Sequence, residues 1–518
     1  MTSIDRQAVS PPGGYIADVA YTAGFYPETA PAHIAFGALS RRRSPGLAWR
    51  PRRVLELGFG QGFGLALLAA ANPDTAFEGC DFNAEHVAHA RGLIADAALD
   101  NVAVSAASFE EIAACDSDAD VDVAILHGVL SWISRAGQEA IVAILRRRLR
   151  PRGLAYVSYN CMPGWAPLAP IRQLMLEVKR RNPGSSDQQL ALALDLVTKL
   201  WQSNAGYFST NPVAVQHVGA MLTMDRPYLA HEYLAEHSEP PPSSAVAELM
   251  GGADLSYAAS ADSLDNLDQY AVPPSVLPLL IQLSDPVLNQ SVRDFAGNRR
   301  FRRDLFAREA AELPADEHRR LLSGLSFTLA VPRDRMVFKF IGPISELALK
   351  PEFHGAVADV LARGSVRFDE LLALPVFGSN ATALLLDCLA LLVYSGQALA
   401  LVGTDDVDVR PAQRFNRMIV ERARNGRLYG HLAAPIARTG VPVDEIALLA
   451  LADLFDGRAT EPAAAAPRIL SALAQRGRRP ARGHQPIDDD ADALAFLVER
   501  LTTIFEQLVP LWRRLGVI

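Results

Sequence analysis

Residues 55–64, LELGFGQGFG, set Gly58, Gly60, Gly62 and Gly64 between an apolar run and an alanine- and leucine-rich one. The apolar run reads as a strand, GLALLAAANP after it as a helix, and the glycines as the turn between them, because glycine adopts backbone angles closed to other residues. The alternation continues downstream. TAFEGCDFN, NVAVSAASF, VDVAILHGV and LAYVSYN have strand character, and AEHVAHARGLIADAAL and QEAIVAILRRRLRPRG have helical spacing. Strands this continuously apolar belong to a parallel sheet covered by helices on both faces. Residues 51–169 are therefore expected to form a Rossmann-like α/β domain whose ligand sits outside the carboxyl ends of the strands.

The loop fits neither common phosphate cradle. A P-loop needs Lys-Ser/Thr after its last glycine, and none is present; a dinucleotide fingerprint needs a third glycine where Phe63 or Leu65 stands. Glu56, two residues before the first glycine, would repel a pyrophosphate but suits a ligand presenting an ammonium group. Glu56-x-Gly58-x-Gly60-x-Gly62 is the pattern of an S-adenosylmethionine loop. Asp81, at the end of the next strand, can accept hydrogen bonds from both ribose hydroxyls, with Phe82 beside it. Ser108 and Phe109, after the third strand, supply a polar contact and an apolar wall for adenine. His127 and Gly128, after the fourth, complete the expected cofactor set, and no metal is expected.

The 518 residues, half of them hydrophobic, suffice for several domains. A net charge of −8 argues against a dedicated nucleic-acid protein. Cys80, Cys115, Cys161 and Cys388 are too scattered for a disulfide framework or a zinc site. No apolar stretch reads as a signal peptide or membrane span, so a cytoplasmic location is the expectation. HEYLAEH (231–237) lacks the H-E-x-x-H zinc spacing because position 235 is Ala. Beyond residue 169 helical spacing dominates, and LDCLALLVYSGQALALVG reads as a helix followed by an apolar hairpin-like pair. The expected segments are a lid (1–50), the cofactor domain (51–169), a helical insertion (170–236), a middle domain (237–310), a winged-helix-like domain (311–410) and a C-terminal helical domain (411–518).

FYPETAP (25–31), VLELGFGQG (54–62), ILHGVLSWI (125–133), AYVSYNCMPGW (155–165), YLAHEYLAE (228–236), VRDFAGNRRFRRDLF (292–306) and LALADLFDGRAT (449–460) span most of the chain. With these the sequence resembles class I methyltransferases carrying a methyltransferase regulatory domain, a family that includes bacterial protein-lysine methyltransferases. The resemblance implies S-adenosylmethionine as cofactor, lysine ε-amino groups of a protein as acceptor, and a homodimer formed through the helical insertion. The chain departs from the family at FYPETAP, where Phe-Pro-Gln-Thr-His-Pro is usual, and at EPPPSSAV.

Methyl transfer needs alignment more than acid–base machinery, and aromatic faces steady the positive charges. Tyr159, Asn160 and His127 are the expected catalytic groups. Tyr21 and Tyr26 on the lid, with Trp132, Tyr159 and Trp165 at strand ends, are expected at the substrate. Trp132 and Trp165 equally suit interface packing, and His127 equally suits a cofactor contact. Small-molecule, peptide or RNA methylation, or a non-catalytic cofactor-binding scaffold, remain alternatives.

Overall fold

The computed structural model describes residues 16–518 except 17, 20, 116–119, 404–406, 459 and 484, with backbone alone at 379–380. The first fifteen residues of the expected lid lie outside the described residues. Seven strands form the central sheet: β1 (Arg53–Leu57), β2 (Ala76–Asp81), β3 (Val102–Ala106), β4 (Val121–Leu126), β5 (Leu149–Asn160), β6 (Ser256–Ser260) and β7 (Phe301–Ala307). Their order is β3-β2-β1-β4-β5-β7-β6. β1 to β5 are mutually parallel, and β7 runs antiparallel to both its neighbours.

Helices follow the strands as the periodicity predicts: α1 (Pro31–Ser40) precedes β1, then α2 (Phe63–Ala71), α3 (Ala84–Asp96), α4 (Phe109–Ala114) and α5 (Arg135–Arg148) connect the strands. Alternate residues of each strand feed two separate cores. Val54, Ile125 and Tyr156 face one side, and Leu55, Ala124, Val157 and Tyr159 face the other.

β6 and β7 arise within residues 237–310, which the sequence reading set apart from the cofactor domain. β7, FRRDLFA, carries Arg302, Arg303 and Asp304 mid-strand, so it lacks an apolar strand signature. The sheet buries these charges because each finds a partner. Arg302 bonds Asp304, Asp294 and Gln290, and Arg303 pairs with Glu28 at 2.5 Å.

Five helices, α6 (Ala169–Arg181), α7 (Ser186–Gln202), α8 (Gly206–Thr210), α9 (Pro212–Met221) and α10 (Arg226–Leu234), build the insertion around Met175, Leu190, Ala193 and Tyr233. α10 returns the chain to the strand ends. Among the described residues, the helix Ala381–Tyr394 is followed by a single strand, Ala398–Val402, and not by the expected hairpin. Its antiparallel partner is β8 (Leu325–Leu329), from upstream of the helix.

The C-terminal helices share one core with α2, where the Phe63 ring stacks on Tyr429 at 4.7 Å between centroids. Among the described residues, no helix is long and apolar enough to cross a membrane.

Candidate active site

Gly58, Gly60 and Gly62 have φ of +76°, +59° and +71°, the left-handed region that disfavours side chains. At Gly58 and Gly62 space forbids them as well. A Cβ on Gly58 would sit 2.7 Å from Val129 Cγ2, and one on Gly62 2.5 Å from the Ala90 methyl. The turn thus brings backbone to the cavity floor, and α2 starts at Phe63, directly behind it.

Asp81 closes β2 and accepts hydrogen bonds from the backbone N–H of Gly60 and of Asn83, both at 2.9 Å. Asn83 caps α3, so Asp81 has no capping duty and faces the cavity.

The cavity holds about 220 Å³. Its walls include Glu56, Asp81, Phe82, Ser108, Phe109 and Gly128. The Ser108 hydroxyl accepts the Glu111 N–H at 3.2 Å to cap α4, so part of its bonding capacity is spent on the helix. The N-terminal segment forms the roof. Tyr21 and Tyr26 both line the cavity, and the Gln61 side chain donates to the Tyr21 carbonyl. Phe25, between them, is buried under the C-terminal region beside Gly440 and His431, which ties the roof down.

His127 is held on three sides. Its Nδ1 lies 3.0 Å from the Tyr156 hydroxyl and 3.3 Å from Ser158 Oγ, and Tyr26 stacks on its face. Burial pushes its pKa down to about 4 against the pull of Glu28, so the ring is neutral at ordinary pH. Gly128 N–H donates to Ser158 Oγ at 2.9 Å, which fixes the turn after β4. Trp132 lines the same cavity.

Three predicted residues lie elsewhere. Tyr159 is fully buried on the opposite face of β5 and donates to Asp304 at 2.6 Å, because adjacent strand residues point to opposite sides. Trp165 is buried against Tyr233 in the insertion core. Asn160 stands behind the cavity wall and donates to Glu232 Oε1 at 2.9 Å. Tyr159 and Trp165 therefore have no direct route to a substrate in this cavity.

The site residues missing from the sequence reading are Tyr156 and Ser158, which support His127, and Glu232 from α10. The alternation A-Y-V-S-Y-N could have assigned Tyr156, Ser158 and Asn160 to one face. Glu232 had no such signal, since only the return of α10 brings it to the strand ends.

Four carboxylates, Glu56, Asp81, Glu110 and Glu232, line the cavity, and no lysine or arginine is among the described lining residues. No hydrogen bond or ion pair from the described residues reaches the Glu56 carboxylate. Burial first, then the charge of Asp81, pushes its pKa up to about 7. A buried carboxylate without a cation is costly, and a cationic ligand relieves it. The residues present therefore fit S-adenosylmethionine: Glu56 would take its ammonium, Asp81 the ribose, and Phe82, Ser108 and Phe109 would surround the base. When bound, it supplies a sulfonium methyl group for transfer.

Comparisons with known proteins agree with this geometry. Residues 54–153 match the methyltransferase domain family, and residues 225–308 match the predicted methyltransferase regulatory domain. The chain is 29% identical to an uncharacterised protein of Synechocystis over 97% of its own length and 99% of that protein's. It is 30% identical to an uncharacterised protein of Rickettsia prowazekii over 36% of its length and 73% of the relative's. Its fold resembles PKMT2 from Rickettsia typhi in complex with AdoHcy, with a TM-score of 0.66 and 19% identity over 96% of this chain and 99% of that one. The glycine turn, the unpartnered Glu56 carboxylate and the two matched domains together mean that the chain belongs to the class I S-adenosylmethionine-dependent methyltransferases carrying a methyltransferase regulatory domain.

Proposed function

We propose that the methyl acceptor is the ε-amino group of a lysine in a protein. The observation behind this reading is the charge of the cavity: beyond Glu56 and Asp81, which suit the cofactor, Glu110 and Glu232 line it, with no cationic side chain among the described residues. An ammonium on a slender alkyl stem suits such walls, and the aromatic faces of Tyr26 and Trp132 add cation–π attraction. A phosphate-bearing acceptor would meet repulsion in the same place.

The likeness to PKMT2 and the family stretches across the chain support the reading. We further propose that the insertion, residues 170–236, forms a homodimer contact, since Leu192, Val213 and Leu222 are about half exposed on it.

The test of the acceptor is radiolabelled S-adenosylmethionine with a bacterial lysate separated into protein, RNA and small molecules. Label on protein that mass spectrometry maps to lysine is the expected result. Label confined to RNA or to small molecules would overturn the proposal.

A further inference from the structure

Glu232 lies on α10, is 8% exposed, and lines the cavity. Its carboxylate has neutral partners: the Asn160 amide donates to Oε1 at 2.9 Å, and the Tyr228 hydroxyl bonds it too. Asn160 is itself anchored at the end of β5, where its N–H donates to Ser131 Oγ at 3.1 Å.

Among the described residues, no cation pairs with Glu232 directly. Arg172, from α6, spends its guanidinium on the Ala235 and Glu236 carbonyls, and Arg300, just before β7, reaches His217 at 3.1 Å. Both arginines act on Glu232 as nearby charges, and Tyr233 is a further titratable group facing it. A buried carboxylate held in place by neutral donors and open to a reaction cavity has a vacancy for one cation or one proton.

The other acid–base groups in the cavity are engaged or unsuited, among them His231, whose Nε2 lies 2.8 Å from the Val19 carbonyl and whose pKa burial pushes down. Asp81 accepts from Gly60 and Asn83, with His86 also beside it at 3.3 Å. Glu56 stands at the glycine turn, where the cofactor's own ammonium belongs. Glu110 is exposed at the rim. His127 is committed at Nδ1 and is a weak base.

We infer that Glu232 binds the incoming lysine ammonium and takes its proton, with Asn160 and Tyr228 as its positioning residues. This rests on the lysine reading above. One N–H bond of the ammonium breaks, its electron pair stays on nitrogen, and the proton passes to a Glu232 oxygen. Nitrogen then forms the bond to the sulfonium methyl, whose former bonding pair returns to sulfur. Glu232 afterwards gives its proton to solvent. Burial raises the Glu232 pKa to about 7, against the opposing hydrogen bonds of Asn160 and Tyr228 and the charges of Arg300 and Arg172. That value suits proton exchange near neutrality.

The test uses the full-length protein, tritiated S-adenosylmethionine, and small-molecule-free lysate proteins as acceptor, with label counted in lysine. With S-adenosylmethionine saturating, so that Glu56 stays ionised, kcat/KM of the native enzyme for the protein acceptor should rise about tenfold per pH unit up to about 7 and then level. Glu232→Gln should lower it by about 10²-fold or more and abolish that limb, while AdoHcy affinity by calorimetry changes less than threefold. Infrared difference spectra between pH 6 and 8.5 should show a carboxylic-acid band that Glu232→Gln removes. Should Glu232→Gln fail to fold, Asn160→Leu provides the second variant. Loss of the amide donor should move the limb to higher pH.

A limb that stays near pH 7 in Glu232→Gln, or fails to move in Asn160→Leu, overturns the role of Glu232 while lysine labelling survives. Label absent from lysine overturns the acceptor reading and this inference with it.

Discussion

The Tyr26 ring lies on the His127 imidazole with centroids 3.7 Å apart and planes inclined by 22°. One ring comes from the N-terminal roof and the other from the end of β4. Their contact covers one face of the part-buried imidazole at the strand ends. Tyr26→Ala should uncover His127 and return its pKa from about 4 toward the ordinary histidine value, since hydration favours the imidazolium. An NMR titration of the His127 ring checks this; a pKa unchanged in the variant would show that the stack does not desolvate the ring.

Glu56 gives a stability prediction with a definite sign. Its folded-state pKa, about 7, lies above the ordinary glutamate value of about 4.3, so the fold favours the protonated acid. That contribution is full below the unfolded-state pKa and is lost as pH rises through about 7. Without cofactor, the native protein should lose melting temperature from pH 5 to 8 more steeply than Glu56→Gln. The same variant should bind S-adenosylmethionine at least about tenfold more weakly at pH 8, since a charge-assisted contact is worth roughly 1.5–3 kcal/mol. Parallel melting curves and equal calorimetric affinities would remove Glu56 from the site.

Gly62 and Gly128 separate backbone strain from crowding. Both have positive φ, but a Cβ on Gly62 meets Ala90 at 2.5 Å, whereas one on Gly128 meets nothing within 4 Å. Gly128→Ala should cost about 1–2 kcal/mol, the strain of the left-handed region. Gly62→Ala should cost clearly more in denaturant unfolding and should also displace the turn, weakening cofactor affinity. Equal losses would refute the crowding account.

Tyr159→Phe should lower stability by about 1–3 kcal/mol, because it leaves the buried Asp304 carboxylate without one donor. Its turnover at saturating substrate should match the native enzyme. A variant that folds normally but loses turnover would return Tyr159 to the chemistry.

The insertion can be tested by sedimentation. Leu192→Glu with Val213→Glu should convert a homodimer into a monomer with unchanged melting temperature, since both side chains are about half exposed. A native chain that sediments as a monomer contradicts the proposed contact.

The glycine turn and the carboxylates beside it were legible because these residues are local. Glu56, the glycines and Asp81 stand in one strand-turn-helix-strand stretch, and side-chain type and spacing there are enough to separate a cationic ligand from a phosphate. Apolar runs and helical periodicity likewise announced β1 to β5: β4 and the second half of β5, covered on both faces, read as nearly unbroken hydrophobicity, while the edge strand β3 is partly exposed yet keeps an apolar run.

What tertiary structure alone decided was which distant groups meet. The charged interior of β7 hid its place in the sheet until Asp294, Gln290 and Glu28 were seen to satisfy its arginines. Strand alternation turned Tyr159 away and Tyr156 inward, although both tyrosines read alike in the motif. Glu232 reaches the cavity only through the folding back of a five-helix insertion, a contact that no local pattern encodes. Spacing along the chain determines a turn and the charge it presents. Proximity between residues far apart in sequence depends on the packing of whole elements, and that packing set Glu232 beside Asn160.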